Sequence, residues 1–220
     1  MAFRAYLNNP ELDARFRDWI TNTLISSFLK QSSDCSQNGD YLSARRWCEE
    51  GLKEFPDNPN LKAALSFSFC RLGYHEESRK LERELLNQSD LDADFRNRIL
   101  NSLACTNLEI GGPESLAEAD RCSFEAIQFN PKACSIQSTR GAVLVVSERV
   151  EEGMKLLQKS LKWTREPENR AWSLCYLTLG EHRLGRTQKR KELLETARGL
   201  DPECPVLDRI FRELSGGKEV

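Results

Sequence analysis

The residues His75-Glu76-Glu77-Ser78-Arg79 begin as a zinc-peptidase helix would, with a glutamate directly after a histidine. That chemistry needs a second histidine four positions on, so that both imidazoles meet one metal from the same side of a helix. Arg79 stands there instead. The other histidine, His182 in LGEHRLGR, falls beside a predicted helix end and reads as a solvated or capping side chain. No GxSxG, P-loop or GxGxxG occurs, so nucleophilic and phosphate-cradling chemistry has no starting point. Asn87 in NQS matches a glycosylation site, which has no meaning in a cytosolic chain. Eight cysteines are scattered at 35, 48, 70, 105, 122, 134, 175 and 204, without a CxxC pair. Several sit at apolar helical positions, as in FSFC and LAC, and read as reduced structural thiols. The expectation is a non-enzymatic protein without cofactor or metal.

Whole-chain totals narrow the partners. The 220 residues are 39% hydrophobic and 30% charged, enough to build a buried core. A formal net charge of -2 lacks the basic excess that grips phosphate backbones, so nucleic acid is not expected as a partner. No stretch has the 18 or more apolar residues of a membrane span, and MAFRAYLNNPELDARF is too polar for a secretory signal. A cytoplasmic location follows as an expectation. The mixed-sign runs RKLERE and RTQKRKE read as solvated helix faces.

The elements that would have to position any site recur along the chain. In NGDYLSARRWCEEGLKEFPDNP, the residues Tyr41, Ala44, Cys48, Gly51, Leu52 and Phe55 are spaced by three and four, one face of a helix. Gly39 and Pro56 bound it. Thirty-four residues after Gly39 comes Gly73, again a turn between two helical patterns, and a period near 34 marks a repeat. Ala119, Ala126 and Pro131 stand in the same relative places as Ala44, Gly51 and Pro56. Ala197 precedes Pro202 by five residues, and Gly141 and Gly153 lie in a further pair. Small side chains at these places let helices cross closely, and a lone pair cannot bury its own apolar face, so the pairs must stack.

At GDYLSARRWCEEGLKEFP, LGYHEES, EADRCSFEAIQFNP, TRGAVLV with VEEGMKLLQKSL, and LGRTQKRKELLETARGLDP, the chain resembles the tetratricopeptide-repeat family. The resemblance implies an all-α fold, a right-handed superhelical α-α solenoid of about five helix pairs with a C-terminal capping helix. The pairs would cover 25–58, 59–92, 97–133, 134–167 and 171–204. Residues 1–24, starting near Pro10, would form an amphipathic helix leading into the first pair, with Phe16, Trp19 and Ile20 on its apolar face. Residues 205–220 would be a capping helix, with Leu207, Ile210, Phe211 and Leu214 on one face, and a disordered tail SGGKEV. Departures from the family pattern are also present. The early aromatic is Phe28 in one copy but Lys62, Leu100, Gln137 or Ser138, and Ala171 in the others, and Ser78 and Arg190 replace a small alanine. Extra residues in GGPESLAEA are expected to lengthen an inter-helix turn.

In that family the first helices of successive pairs line a channel for a peptide or helix. The resemblance therefore assigns a peptide-binding groove to Ala63, Phe67 and Arg71; Asn101, Cys105 and Leu108; Ser138, Ala142 and Val145; and Trp172, Leu179 and Arg183. The Lys, Asn and Arg set with which some members grip a terminal carboxylate is not matched. A protein or peptide partner with an apolar segment is expected, acting on a protein-protein interaction scaffold. The alternatives are an accessory or regulatory segment of a larger enzyme or membrane protein, and a self-associating adaptor.

Overall fold

Four helix starts in this chain are set by short polar side chains that take up amides left without a helical partner. In the computed structural model, which describes residues 13–214, Asp13 accepts from the amides of Arg15 and Phe16 and opens α1 (Ala14–Gln37). Asp40 does the same for α2 (Tyr41–Glu54) through Ser43, and Asn58 for α3 (Pro59–Arg71) through Leu61. After α4 (His75–Leu86), Asp92 accepts from the Phe95 amide at the start of α5 (Ala93–Ile110). The remaining helices are α6 (Gly112–Phe129), α7 (Cys134–Val146), α8 (Val150–Leu161), α9 (Pro167–Arg183), α10 (Thr187–Leu200) and α11 (Leu207–Leu214). The described residues contain no strand. Pro10 and the SGGKEV tail lie outside the described residues.

Turns between the helices of a pair use the left-handed region that glycine enters without a Cβ penalty. Gly39, Gly73 and Gly185 occupy it in three pairs, while Glu148, at φ 64°, takes that conformation between α7 and α8. The turn expected to be lengthened in GGPESLAEA is instead very short. Gly111 and Gly112 both have positive φ and reverse the chain at once, Pro113 sits in the first turn of α6, and the extra residues lengthen the helices, so that α5 and α6 have 18 residues each.

The chain divides into two units, residues 1–106 and 107–220, with the boundary inside α5. In the first, α1 packs on α2, α2 on α3, α3 on α4, and α1 also on α3. Ala44, Cys48, Leu61 and Leu65 are buried there, and Leu85, Phe95 and Ile99 form a further cluster against Ala63, Leu86 and Leu91. A Cβ at Gly51 would lie 3.0 Å from the Leu61 methyls and 3.1 Å from Phe28, so the missing side chain makes room for the next pair. Lys62, where the repeat pattern wants an aromatic, is buried too. Its ammonium group lies 2.5 Å from Glu84 and 3.8 Å from Asp57, so the charge is paired rather than stranded.

In the second unit α6 packs on α7, α7 on α8, α8 on α9 and α9 on α10, while α9 also meets α7 and α11. One apolar cluster runs through it, from Leu108 through Ala142, Val143, Val145, Met154, Leu157, Cys175, Tyr176 and Leu179 to Val206, Leu207 and Ile210. At Gly141 and Gly153 the α7 and α8 backbones are in direct contact. A Cβ on Gly153 would stand 2.5 Å from the Gly141 carbonyl oxygen, and one on Gly141 2.8 Å from that of Gly153. The eight cysteines are free thiols, and Cys48, Cys122, Cys175 and Cys204 are buried.

Candidate binding faces on the first helices

The residues that the repeat register assigns to a groove fall into two sets. Ala63, Phe67, Arg71, Asn101 and Cys105 belong to the first unit, and each keeps some surface open. Phe67 is 49% exposed, an apolar ring left half open to solvent. Its edge meets the Tyr41 ring at 6.2 Å, and the Arg71 guanidinium lies 4.8 Å above that same ring. Tyr41 thus belongs to this face although the register places it on a second helix. Its signal in the sequence is that it begins the three-and-four spacing of α2 after the Gly39 turn. The Arg71 Nε and the Asn101 Oδ1 are buried atoms without a hydrogen-bond partner. An asparagine amide offers both a donor and an acceptor, the pair of functions that an extended peptide backbone presents. A second aromatic and cationic group lies on the same unit, with the Arg45 guanidinium 5.1 Å from the Phe69 ring and 5.6 Å from that of Tyr74.

The other assigned residues belong to the second unit and are mostly covered. Leu108, Ala142, Val145 and Leu179 lie within its core cluster, and Ser138, also buried, shares a 2.6 Å hydrogen bond with Ser173. Trp172 is half-buried, its ring 4.6 Å from that of the fully buried Tyr176. Arg183 donates to the carbonyls of Val145 and Val146 at the end of α7 and pairs with Glu148 at 3.0 Å, so it caps that helix. Arg209 on α11 donates to the Leu108 carbonyl and pairs with Glu213 at 3.2 Å. The Tyr176 hydroxyl donates to Glu109 at 3.3 Å.

Among the described residues no three His, Cys, Asp or Glu side chains come together as a metal site, and no helix is long and apolar enough to cross a membrane. His75 and His182 are apart in the chain, His182 sharing its Nδ1 with Arg190 at 2.9 Å. Glu82 is the one completely buried carboxylate of the first unit among the described residues. The hydroxyls of Ser66, Ser78, Ser102 and Thr106 all donate to its Oε1. Burial pushes its pKa up, against the pull of those hydrogen bonds.

No protein-family model matches the sequence, and comparison with curated proteins gives no match. Solved structures do match. TTC0263, a thermophilic TPR protein of Thermus thermophilus, is 17% identical, with 87% of this chain and 98% of that one covered at a TM-score of 0.64. The MamA protein is 13% identical over 83% of this chain and 94% of its own, TM-score 0.52. YrrB, described as a TPR protein with an unusual peptide-binding site, is 11% identical over 91% and 98%, TM-score 0.50. Identities this low speak to fold alone. With eleven helices and no strand among the described residues, and with glycine-mediated crossings at the repeat positions, the chain has the all-α helical-repeat fold of tetratricopeptide-repeat proteins.

Proposed function

We propose that the chain is a non-enzymatic protein-interaction scaffold, and that its first unit holds a peptide or helix with an apolar segment against the first helices α3 and α5. The observation that carries this reading is the half-exposed Phe67 ring beside Tyr41, whose own ring also carries the Arg71 guanidinium, with the Asn101 Oδ1 unpartnered on the next first helix. An apolar ligand side chain gains from covering Phe67. YrrB, a protein of the same fold, has a peptide-binding site, which supports the class of function. Of the twelve groove residues, Ala63, Phe67, Arg71, Asn101 and Cys105 are the accessible ones in this unit and form the proposed contact set. A cytoplasmic location belongs to the same reading.

Peptides selected from a random library on the intact protein give the test. Phe67→Ala combined with Arg71→Glu is expected to weaken the selected peptides at least tenfold by fluorescence anisotropy, with the far-UV spectrum unchanged. Equal affinity for the substituted chain would remove α3 from the site. A second reading, attachment to a larger assembly, is favoured by Phe16 and Trp19 on α1. Their rings stack at 5.6 Å while remaining 50% and 60% exposed.

A further inference from the structure

A helix that only closed the end of a repeat stack would touch the last pair, here α9 and α10. α11 goes further. Phe211 lies under the Arg198 guanidinium of α10 at 4.8 Å, and the apolar side of α11 joins the core through Leu207 and Ile210. Arg209 then reaches the carbonyl end of α5, two pairs earlier, where it donates to Leu108 O and lies 4.0 Å from the Glu109 carboxylate. Glu213 completes the seam, paired with Arg209 at 3.2 Å and 3.9 Å from Arg183 on α9. The core that takes in Val206, Leu207 and Ile210 also contains Leu108, Ala142, Val145 and Leu179, the residues that the repeat register places on the ligand-facing side. An arginine at the carbonyl end of a helix meets free acceptors and the negative end of the helix dipole, a fixed polar address within an otherwise apolar face.

We propose that α11 is an autoinhibitory occupant of a helix-binding face on the second unit. The partner this face fits is an amphipathic helix with the spacing of α11: apolar residues at i, i+3, i+4 and i+7, as Leu207, Ile210, Phe211 and Leu214, and an arginine at i+2, as Arg209. Eight residues are too few for a helix to persist alone in water, so α11 is helical because it is docked, and undocking dissolves it. A short tether holds it at an effective concentration on the order of millimolar, so a free helix enters only when it binds better or when α11 is weakened. The proposal uses no residue of the α3 face, so the two readings stand or fall separately.

The probe is a fluorescein-labelled peptide of residues 204–214 with Cys204→Ser, titrated by anisotropy into the full chain and into the full-length Arg209→Glu variant. The substitution weakens the tethered copy and leaves Leu108 and Glu109 in place for the peptide's own arginine, and Arg183 for its Glu213. The expected result is binding at least tenfold tighter to the variant than to the unsubstituted chain, lost again when Glu109→Lys is added. Equal binding to both chains overturns the proposal. So does loss of the second unit's cooperative unfolding in the milder variant Arg209→Gln, because α11 would then be an indispensable cap. A concentration-dependent dimer of the unsubstituted chain that Arg209→Glu abolishes supports the same face, with the α11 of a second copy as its occupant.

Discussion

Gly153→Ala is expected to lower the urea midpoint of the chain more than any other glycine-to-alanine change in it. The reason is what the new methyl group would meet. At Gly153 a Cβ falls 2.5 Å from the Gly141 carbonyl oxygen and 2.8 Å from the Val145 amide nitrogen, both backbone atoms of α7 that cannot rotate away. Relief requires α7 and α8 to move apart along their whole crossing. Overpacking of a core typically costs about 1–3 kcal/mol. Contacts against two backbone atoms belong at the upper end, which outweighs the roughly 1 kcal/mol that alanine gains over glycine in helix propensity. The net expectation is a loss of about 2 kcal/mol. Two controls make the argument specific. At Gly51 the Cβ meets the flexible ends of Leu61 and the Phe28 ring, at 3.0 and 3.1 Å, so the loss should be smaller. At Gly199 it meets nothing within 4 Å, and Gly199→Ala should stabilise. A Gly153→Ala chain that unfolds at the same urea concentration as the parent would contradict the close crossing.

Those glycines could be found in the sequence because their cause is local and periodic. Gly51, Ala126 and Ala197 recur at one phase of the repeat, and Gly39 and Gly73 mark turns at another. A reader of one segment at a time can see both signals. What could not be read were the partnerships made across the stack. Glu82 lies in the run RKLERE, which by charge pattern is a solvated face, yet its side chain is completely buried. Its hydroxyl donors come from Ser66 on α3 and from Ser102 and Thr106 on α5, 16 to 24 residues distant, and serine and threonine carry no periodic signal of their own. The reach of Arg209 to the Leu108 carbonyl spans 101 positions. For that reason the register gave one rule for Phe67 and Arg71, which keep surface open on α3, and for Leu108, Val145 and Leu179, which share a core with α11. Periodicity says which side of a helix faces inward within its own pair. It does not say what later segment folds back upon the other side.

Glu82 supplies the second large effect, and it depends on pH. Its folded-state pKa is raised, first by desolvation, while the hydroxyls of Ser102, Ser66, Thr106 and Ser78 pull the other way. In the unfolded chain the carboxyl titrates near its ordinary value of about 4.3. Above that pH the unfolded state has released the proton and the folded state still holds it. Fewer protons bound in the unfolded state means that stability falls as pH rises. The stabilising contribution is therefore fully present below the unfolded pKa and is lost as pH climbs through the raised folded value, beyond which the curve flattens. Glu82→Gln removes the titration and should flatten this part of the profile. Glu82→Ala should cost more at every pH, because it takes away the acceptor. Ser78 can still donate to the Ser66 carbonyl at 3.0 Å, whereas Thr106 is left with a 3.4 Å contact to the Ser78 hydroxyl and Ser102 loses its 2.6 Å bond. A buried donor without an acceptor costs about 1–3 kcal/mol, to which the emptied volume adds. Urea unfolding of the parent, Glu82→Gln and Glu82→Ala chains from about pH 4 to about pH 8, a window that opens near the unfolded carboxyl's value, tests both statements. If the parent and Glu82→Gln profiles run parallel across that range, the buried carboxyl does not titrate with folding, and the hydroxyl cluster rather than burial governs its charge.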